Sequence, residues 1–181
     1  MGSLFKSTKA IDLLKQDHRA VEALFERYEQ ADEGERVALA QDICQALTVH
    51  AHVEEELFYP ALRGRIESDL LDEAEVEHQS LKELIAKLDG AQESDELFGA
   101  YVKVLQEYVK HHVKEEEHEL MPKAKDSKVD LEQLGDRMEA LKAQLESKIA
   151  ELSADPGGRV RVLQVDGRGV RHPERSASRP S

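Results

Sequence analysis

Apolar side chains recur along the chain at steps of three and four residues, the spacing of one face of an α-helix. The first stripe consists of Ile11, Leu14, His18, Val21, Phe25 and Tyr28. The second consists of Ala40, Ile43, Leu47, His50, Glu54, Leu57 and Phe58. We therefore predict two amphipathic helices, the first capped by Ser7 or Thr8 and the second kinked or ended by Pro60.

Two further stripes follow the same pattern. The third, on a helix predicted from about Ser68 to Leu88, consists of Leu71, Ala74, His78, Leu81, Ile85 and Leu88. Gly90 is well placed to stop this helix. The fourth, capped by Ser94 or Asp95, consists of Leu97, Tyr101, Val104 or Leu105, Tyr108, His112 and Glu116. We predict that Pro122 closes the fourth helix.

A fifth stripe lacks histidine and consists of Leu131, Leu134, Met138, Leu141, Leu145, Ile149 and Leu152. It predicts an amphipathic helix that packs along the others or pairs with a second copy in a weak dimer, and intramolecular packing is favoured. Residues 153–181 then hold six Arg, four of the ten Gly and three of the five Pro. This composition predicts a disordered tail.

The helical region contains an internal repeat. An offset of 60 pairs Asp17-His18 with Glu77-His78, and an offset of 62 pairs His50-x-x-x-Glu54 with His112-x-x-x-Glu116. Each half is thus predicted to be a helical hairpin with two inward histidines and one inward glutamate. Two hairpins make an all-α, up-down four-helix bundle. We assign residues 1–125 to this bundle, 126–152 to an additional amphipathic helix and 153–181 to the tail.

Six inward polar residues would be costly to bury without a partner, and a cation removes that cost. They are His18, His50, Glu54, His78, His112 and Glu116. Nitrogen and oxygen donors without sulfur indicate iron, manganese or zinc, and two carboxylates able to bridge indicate a dinuclear site. By the repeat, the first two histidines hold one metal and the last two hold the other.

A second register has the same spacing, because His52-x-x-x-Glu56 and His111-x-x-x-Glu115 also place a histidine and a glutamate one turn apart. We prefer the first register because only it places both prolines ten residues after the histidine and keeps both histidines in the apolar stripes. His52, His111 and His118 then fall outside the ligand set.

Composition limits the function. The 181 residues carry a formal charge of −13, which argues against nucleic acid as a partner. The single Cys44 excludes an intramolecular disulfide and a thiolate metal cluster. No stretch has the length of a membrane span, and the N-terminus lacks the apolar core of a signal peptide, so we expect a cytoplasmic protein without a membrane partner.

These motifs, with their Glu-Glu and Phe-Tyr-Pro or Leu-Met-Pro flanks, resemble the bacterial hemerythrin-like HHE cation-binding domain from about residue 8 to 125. The resemblance implies a hemerythrin-like bundle with two iron ions, bridged by oxo or hydroxo, that meets dioxygen, peroxide or nitric oxide. Oxygen-carrying hemerythrins have a His-x-x-x-His on the third helix, where this chain has Ala74 and Lys82 on either side of His78. They also have an Asp five residues after the last ligand histidine, where Glu116 lies at four.

The leading hypothesis is a non-haem diiron protein that binds, senses or turns over dioxygen, peroxide or nitric oxide. The ligand count leaves a position open on each metal, so at most a modest catalase-like activity is expected. The alternative is a non-catalytic iron-binding, iron-sensing or storage module whose folded state a partner protein reads.

Overall fold

The computed structural model describes residues 7–153, with side chains as far as Glu151. Its helices are α1 Lys9–Gln30, α2 Arg36–Val53, α3 Tyr59–Leu62, α4 Ser68–Leu88, α5 Phe98–Glu115, α6 Met121–Asp126 and α7 Leu131–Ser153. Two π-helical turns, π1 Glu54–Phe58 and π2 Glu116–Leu120, join α2 to α3 and α5 to α6. The predicted all-α class is confirmed. The predicted disordered tail, apart from Ser153, lies outside the described residues.

The helix α4 has the bounds that its stripe predicts, and Gly90 follows it with a φ of 76°, which glycine adopts without strain. The helix α5 differs from its prediction. It begins at Phe98, and Leu97, Val104 and Tyr108 are exposed. Its buried residues are Phe98, Val102, Leu105, Val109 and His112. Tyr108 and Val109 fit the helical period equally well, and the outward position keeps the Tyr108 hydroxyl near water.

Neither proline ends its helix. In π1 the amide of Tyr59 donates to the Glu54 carbonyl, and in π2 the amide of Met121 donates to the Glu116 carbonyl. Each bond spans five residues instead of four, so one extra residue enters the turn and the helix continues past the proline that follows. The prediction that Pro122 closes the fourth helix is therefore wrong.

The four inward histidines lie between two apolar clusters. One cluster contains Ile11 and Leu14 of α1, and the other contains Val21 and Phe25 of the same helix, so His18 lies where α1 passes from one to the other. The same is true of α2 and α4 at their histidines, whereas the chain after His112 reaches the first cluster only at Leu120 in π2. The polar layer is thus held between two apolar regions, which exclude water from it.

The fifth stripe forms α7, which begins after Asp130, whose carboxylate accepts from the amides of Glu132 and Gln133. It packs on α1, α2 and π1. The buried side chains of α7 are Leu131, Leu134, Met138, Leu145 and Ile149, and they belong to the same cluster as Ile11. Because α7 shares this core, the division into four bundle helices and one additional helix stays a prediction, as do the domain boundaries.

The approach of α7 to the start of α1 is close at Gly135. A Cβ added there would lie 2.8 Å from the backbone nitrogen of Ala10, nearer than real Cβ atoms come to such an atom. Glycine is therefore required by the packing of two helices. Across residues 7–153, no helix combines the length and apolarity needed to cross a bilayer.

Candidate metal centre

The structure brings all six predicted ligands together. They are His18, His50, Glu54, His78, His112 and Glu116, and all are buried. The histidines of α1 and α2 form one group with both glutamates, with donor atoms within 4.8 Å of one another. The histidines of α4 and α5 form a second such group with Glu54. Glu54 belongs to both groups, which is the position of a bridging carboxylate. The histidine pairing agrees with that expected from the repeat.

The Nε2 atoms of the histidines face the middle of this arrangement. His18 Nε2 lies 3.2 Å from Glu116 Oε2, and His50 Nε2 lies 3.3 Å from Glu54 Oε2. His78 Nε2 lies 3.2 Å from the same Glu54 oxygen and 3.2 Å from His112 Nε2. The Nε2 atoms of four imidazoles and oxygen atoms of two carboxylates thus point toward the same region of the core.

The Nδ1 atoms face outward, toward carboxylates next in sequence to a ligand. His18 Nδ1 lies 2.8 Å from Glu117, and His78 Nδ1 lies 2.9 Å from Glu55. His112 Nδ1 lies 2.7 Å from Glu77. An ionised carboxylate can only accept, so each of these imidazoles donates from Nδ1. A neutral ring then keeps the Nε2 lone pair for a metal.

His50 is held more loosely. Its Nδ1 lies 3.5 Å from Asp17 Oδ2, too far for a hydrogen bond, while the other oxygen of Asp17 accepts from Lys142 of α7. Burial works against ionisation of Asp17, but His50 and Lys142 outweigh it and lower the pKa of this carboxyl. The fifth long helix therefore supplies the cation that keeps this carboxylate charged.

Two more of the carboxylates that face an Nδ1 atom, Glu55 and Glu117, have cationic partners too. Lys82 donates to Glu55 at 2.6 Å, and Arg19 donates to Glu117 at 2.6 Å. Burial opposes ionisation of Glu55, but His78 and Lys82 lower its pKa to about 2. These carboxylates, which form the outer layer of the centre, are therefore anionic. This charge allows them to accept hydrogen bonds from the imidazoles.

Buried atoms without partners test whether the site fits a cation. His18 Nε2, His50 Nε2, Glu54 Oε1 and Glu116 Oε2 are enclosed and have no hydrogen-bond partner within residues 7–153. Buried polar atoms are normally satisfied. Four of the seven such atoms in residues 7–153 are thus inward atoms of predicted ligands, and the other three are His50 Nδ1, Asp17 Oδ2 and Glu93 Oε1. The four inward atoms show that the donor set fits a bound metal.

The pKa values of the two glutamates, Glu54 and Glu116, are shifted in opposite directions. Burial raises the pKa of Glu54 well above its usual range, and the neighbouring Glu116 raises it further. Without a metal, burial acts on Glu116 in the same direction, but the close approach of His18 and electrostatic attraction from the imidazoles of His112 and His50 outweigh it and lower its pKa. Two carboxylates this close cannot both be charged without a counter-charge, and a metal ion provides one.

Comparison with known proteins now decides the family. The family model described as the hemerythrin HHE cation-binding domain matches residues 9–124, and overlaps in a second match with residues 69–161. The chain belongs to this family. Binding of a cation is the property that the family's description names.

Two individual proteins are similar to this hemerythrin HHE chain. A crystal structure of a hemerythrin HHE cation binding domain-containing protein from Mycobacterium kansasii has 22% sequence identity and a TM-score of 0.68, covering 85% of this chain and 96% of the other. This likeness shows the fold. A DNA nickase of Nostoc sp. is 26% identical over 149 residues, which are 81% of this chain and 42% of the nickase. The chain thus spans less than half the length of that relative.

Tyr59 is the site residue that the sequence did not indicate. Its hydroxyl lies 3.3 Å from His78 Nε2, 3.4 Å from Glu54 and 3.3 Å from Glu116. Burial and the two carboxylates raise the pKa of Tyr59 well above its usual range, so the hydroxyl stays protonated and donates. The stripe pattern hides it because π1 shifts the register, which turns Tyr59 inward and leaves the predicted Leu57 half-buried.

The four outer carboxylates were also missed. Asp17 and Glu77 precede a ligand histidine, and Glu55 and Glu117 follow a ligand glutamate. The dipeptides Asp17-His18 and Glu77-His78 were visible as part of the repeat, but each acid serves the histidine of a neighbouring helix. That partner is apparent only when the helices are packed.

The remaining histidines lie outside the centre. His52 is half-buried, while His111 and His118 are exposed. The Nδ1 of His118 donates to the Lys114 carbonyl at 2.7 Å. The structure thus agrees with the preferred register, although which residues bind metal stays a prediction.

A cavity of about 40 Å³ adjoins the ligand histidines on the side of the second apolar cluster. Its apolar lining consists of Val21, Leu47, Ala51, Leu81, Ile85, Val109 and Val113. Thr48, His52 and Lys82 are the partly exposed residues of its wall, between α2 and α4. A single water needs about 10–15 Å³, so the cavity has room for a diatomic molecule beside the ligands.

Proposed function

We propose that this hemerythrin HHE protein holds two iron ions and binds, senses or turns over dioxygen, peroxide or nitric oxide. One observation carries the proposal, namely two groups of inward Nε2 and carboxylate atoms that share Glu54. His18 and His50 would hold one ion and His78 and His112 the other. Glu54, which belongs to both groups, and Glu116, which belongs to the first, would supply the carboxylate ligands.

Several features of the chain support a redox ion. The donors are imidazole and carboxylate, which suit iron, manganese and zinc, and the one cysteine, Cys44, lies in the apolar cluster away from the centre. When bound, a pair of iron ions supplies one-electron chemistry toward oxygen species, which zinc does not. The anionic outer layer raises the basicity of the imidazoles and so favours metal binding.

The residues around the centre favour a small, uncharged guest. The apolar wall of the cavity excludes bulk water, and its volume admits a diatomic molecule or peroxide. Tyr59 is the protonated donor closest to both carboxylates and can hold a proton at its hydroxyl during turnover. These properties suit binding first and catalysis second, so we expect any peroxide consumption to be modest.

The proposal is tested by anaerobic loading with Fe²⁺, metal counting and absorption spectra before and after peroxide or nitric oxide. We expect about two irons per chain and a spectral change with at least one of these molecules. His50→Ala and His112→Ala should each lower bound iron, whereas His52→Ala, which leaves the inward histidines intact, should not. Equal losses in all three variants would show that the preferred register is wrong.

A second candidate function has one observation in its favour. Lys142 connects α7 to Asp17 beside His50, so the state of the centre can affect an outer helix. This arrangement suits a non-catalytic iron-binding or iron-sensing module that a partner protein reads. It becomes the better proposal if iron binds and raises the melting temperature but neither peroxide nor nitric oxide changes the spectrum.

We do not extend the DNA nicking activity named for the Nostoc relative to this chain. The match covers 42% of that protein, and the formal charge of −13 disfavours a phosphate backbone as a partner. We therefore propose no nucleic-acid and no membrane partner. A supercoiled plasmid incubated with metal-loaded protein should remain supercoiled.

A further inference from the structure

A group of possible ligands lies outside the centre, between α4 and α5. His111 Nε2 is 3.3 Å from Glu77 Oε1 and 3.2 Å from Glu115 Oε1. One imidazole nitrogen and two carboxylate oxygens therefore converge, each within 4.8 Å of the others. This donor set accepts divalent first-row metal ions and leaves coordination positions for water. His111 and Glu115 form the pair that the inward register leaves outside the centre.

A pocket of about 230 Å³ connects this group with two buried ligands. Its lining residues are Leu70, Glu73, Ala74, Glu77, His112, Glu115, Glu116, Glu119 and Leu120. A water needs about 10–15 Å³ of such volume, so the pocket has room for a cation with several waters. A metal ion can therefore enter without first losing its hydration shell.

The side chains become steadily less exposed from the surface to the centre. Their exposed fractions are 58% for His111, 35% for Glu115, 20% for Glu77, 4% for His112 and 1% for Glu116. Glu77 links the two ends, because its Oε1 faces His111 while its Oε2 accepts from His112 Nδ1 at 2.7 Å. Glu77 therefore contacts both an exposed and a buried histidine.

The charge of the pocket favours cations. Five glutamates line it, and its lining contains no Lys or Arg. By contrast, the pocket between α1 and α5 that reaches His18 has three basic residues beside its four glutamates, namely Arg19, Lys110 and Lys114. The cavity next to the ligand histidines has Lys82 in its wall. A concentrated negative potential attracts cations and raises their local concentration.

The inner end of the pocket also indicates a cation. Glu116 lines it and is almost fully buried, and its Oε2, which lies 3.2 Å from His18 Nε2 in the centre, has no hydrogen-bond partner in the described part of the chain. A buried carboxylate oxygen in this condition calls for a positive partner. The acidic outer group therefore leads to a buried acceptor of charge.

We propose that Glu77, His111 and Glu115 form an outer cation site that captures a divalent metal ion such as Fe²⁺ and passes it between α4 and α5 to His112 and Glu116. The delivery step rests on the proposed function, because the receiving centre is the one described above. Capture itself depends only on the outer group. No bond of the chain is made or broken, and the ion exchanges waters for protein ligands as it moves inward.

Loading kinetics test the delivery step. Metal-free protein is mixed with limiting Co²⁺, and the absorption of the occupied centre is followed over time. His111→Gln/Glu115→Gln should slow loading by roughly tenfold or more, the lower end of electrostatic steering effects. Release of Co²⁺ from the centre to a chelator should slow by the same factor. The number of ions that the centre holds and its affinity for them should therefore be unchanged. Glu107→Gln, which removes one exposed charge elsewhere on α5, is the control.

Two results would overturn the delivery step. One is a double variant that loads as fast as Glu107→Gln. The other is a double variant whose centre reaches a lower Co²⁺ absorption at saturation, which would mean that these residues support the centre itself. The exposed positions of His111 and Glu115 make unfolding of the variant unexpected, and circular dichroism of the metal-free protein checks this.

Capture is tested separately from the centre. His50→Ala/His78→Ala removes one histidine from each group of the centre and leaves His112 in place. Water-proton relaxation with Mn²⁺ should still detect one weak site, which is lost when His111→Gln/Glu115→Gln is added. If wild-type protein binds no ions at the centre while this weak site persists, the proposed function fails and the outer site stands. If the weak site is missing, the outer site is wrong.

Discussion

Tyr59 and Met121 occupy equivalent positions in the two halves of the chain. Each lies five residues after an inward glutamate and donates its amide to that glutamate's carbonyl. Both side chains are about 1% exposed. The equivalence ends at the side chains, because only Tyr59 brings a hydroxyl to the two carboxylates. The centre is thus chemically asymmetric although its predicted ligands have the same spacing in the two halves of the chain.

Tyr59→Phe should lower the free energy of unfolding of the metal-free protein by about 1–3 kcal/mol, because buried Glu54 and Glu116 lose a donor. Bound iron at saturation should not change, since no ligand is removed. Urea unfolding and metal counting check the two statements. Met121→Leu, at the equivalent position, should cost less than about 1.5 kcal/mol. Similar losses in both variants would mean that packing, rather than the hydroxyl, matters.

Lys142→Met should weaken one of the two metal sites by roughly tenfold, a typical effect of removing outer support. Without Lys142, Asp17 loses the cation that keeps it charged beside His50. In a chelator-competition titration, the two metal-release steps should then lie further apart in Lys142→Met than in the wild-type protein. Lys148→Met, at an exposed position six residues further along α7, should leave the titration unchanged. An unaltered titration in Lys142→Met would separate α7 from the centre.

The sequence predicted the inward histidines because each lies in an apolar stripe, and burial of such a stripe follows from helical geometry alone. The register beyond Glu54 was not predictable in this way. A π turn shifts every later residue by one position. The stripe therefore predicts that Leu57 and Phe58 face inward, whereas Phe58 and Tyr59 are the buried pair. On α5 the choice between Tyr108 and Val109 depends on the neighbouring helix, because both satisfy the helical period.

The outer carboxylates show a second limit. Glu55 lies next to Glu54 in sequence, yet it contacts His78, which is 23 residues away on another helix. Local pattern identifies such a residue only as a charged position on a helix. The hydrogen bond that defines its role depends on how α4 lies against π1.

Glu55 should contribute to the acid stability of the metal-free protein. Its folded pKa is lowered to about 2, whereas an unfolded glutamate titrates near pH 4.3, so between these values the unfolded chain binds more protons. The stabilisation is therefore present above about pH 4.3 and is lost as the pH falls toward 2. Glu55→Gln should flatten the dependence of the unfolding free energy on pH in this window. Glu56→Gln, one residue along on the exposed side, is the control, and equal slopes for wild type and Glu55→Gln would contradict the prediction.

Gly135→Ala should destabilise the protein by about 1–3 kcal/mol, the usual cost of overpacking. The added methyl would lie 2.8 Å from the Ala10 nitrogen, and backbone cannot yield as a flexible side chain can. Helix propensity acts in the opposite direction, because alanine is favoured over glycine by about 1 kcal/mol in a helix. A net loss would therefore identify the close approach as its cause.

Gly99→Ala provides the matched control, because Gly99 also lies in a helix but a Cβ there meets nothing within 4 Å. It should be neutral or slightly stabilising in the same urea titration. If Gly135→Ala pushes α7 away from α1, it should also move Lys142 from Asp17 and weaken one metal site in the way that Lys142→Met does. The double variant Gly135→Ala/Lys142→Met would then lose no more metal affinity than either single variant, because both act through one contact. Additive losses would show that the two contacts of α7 act independently on the centre.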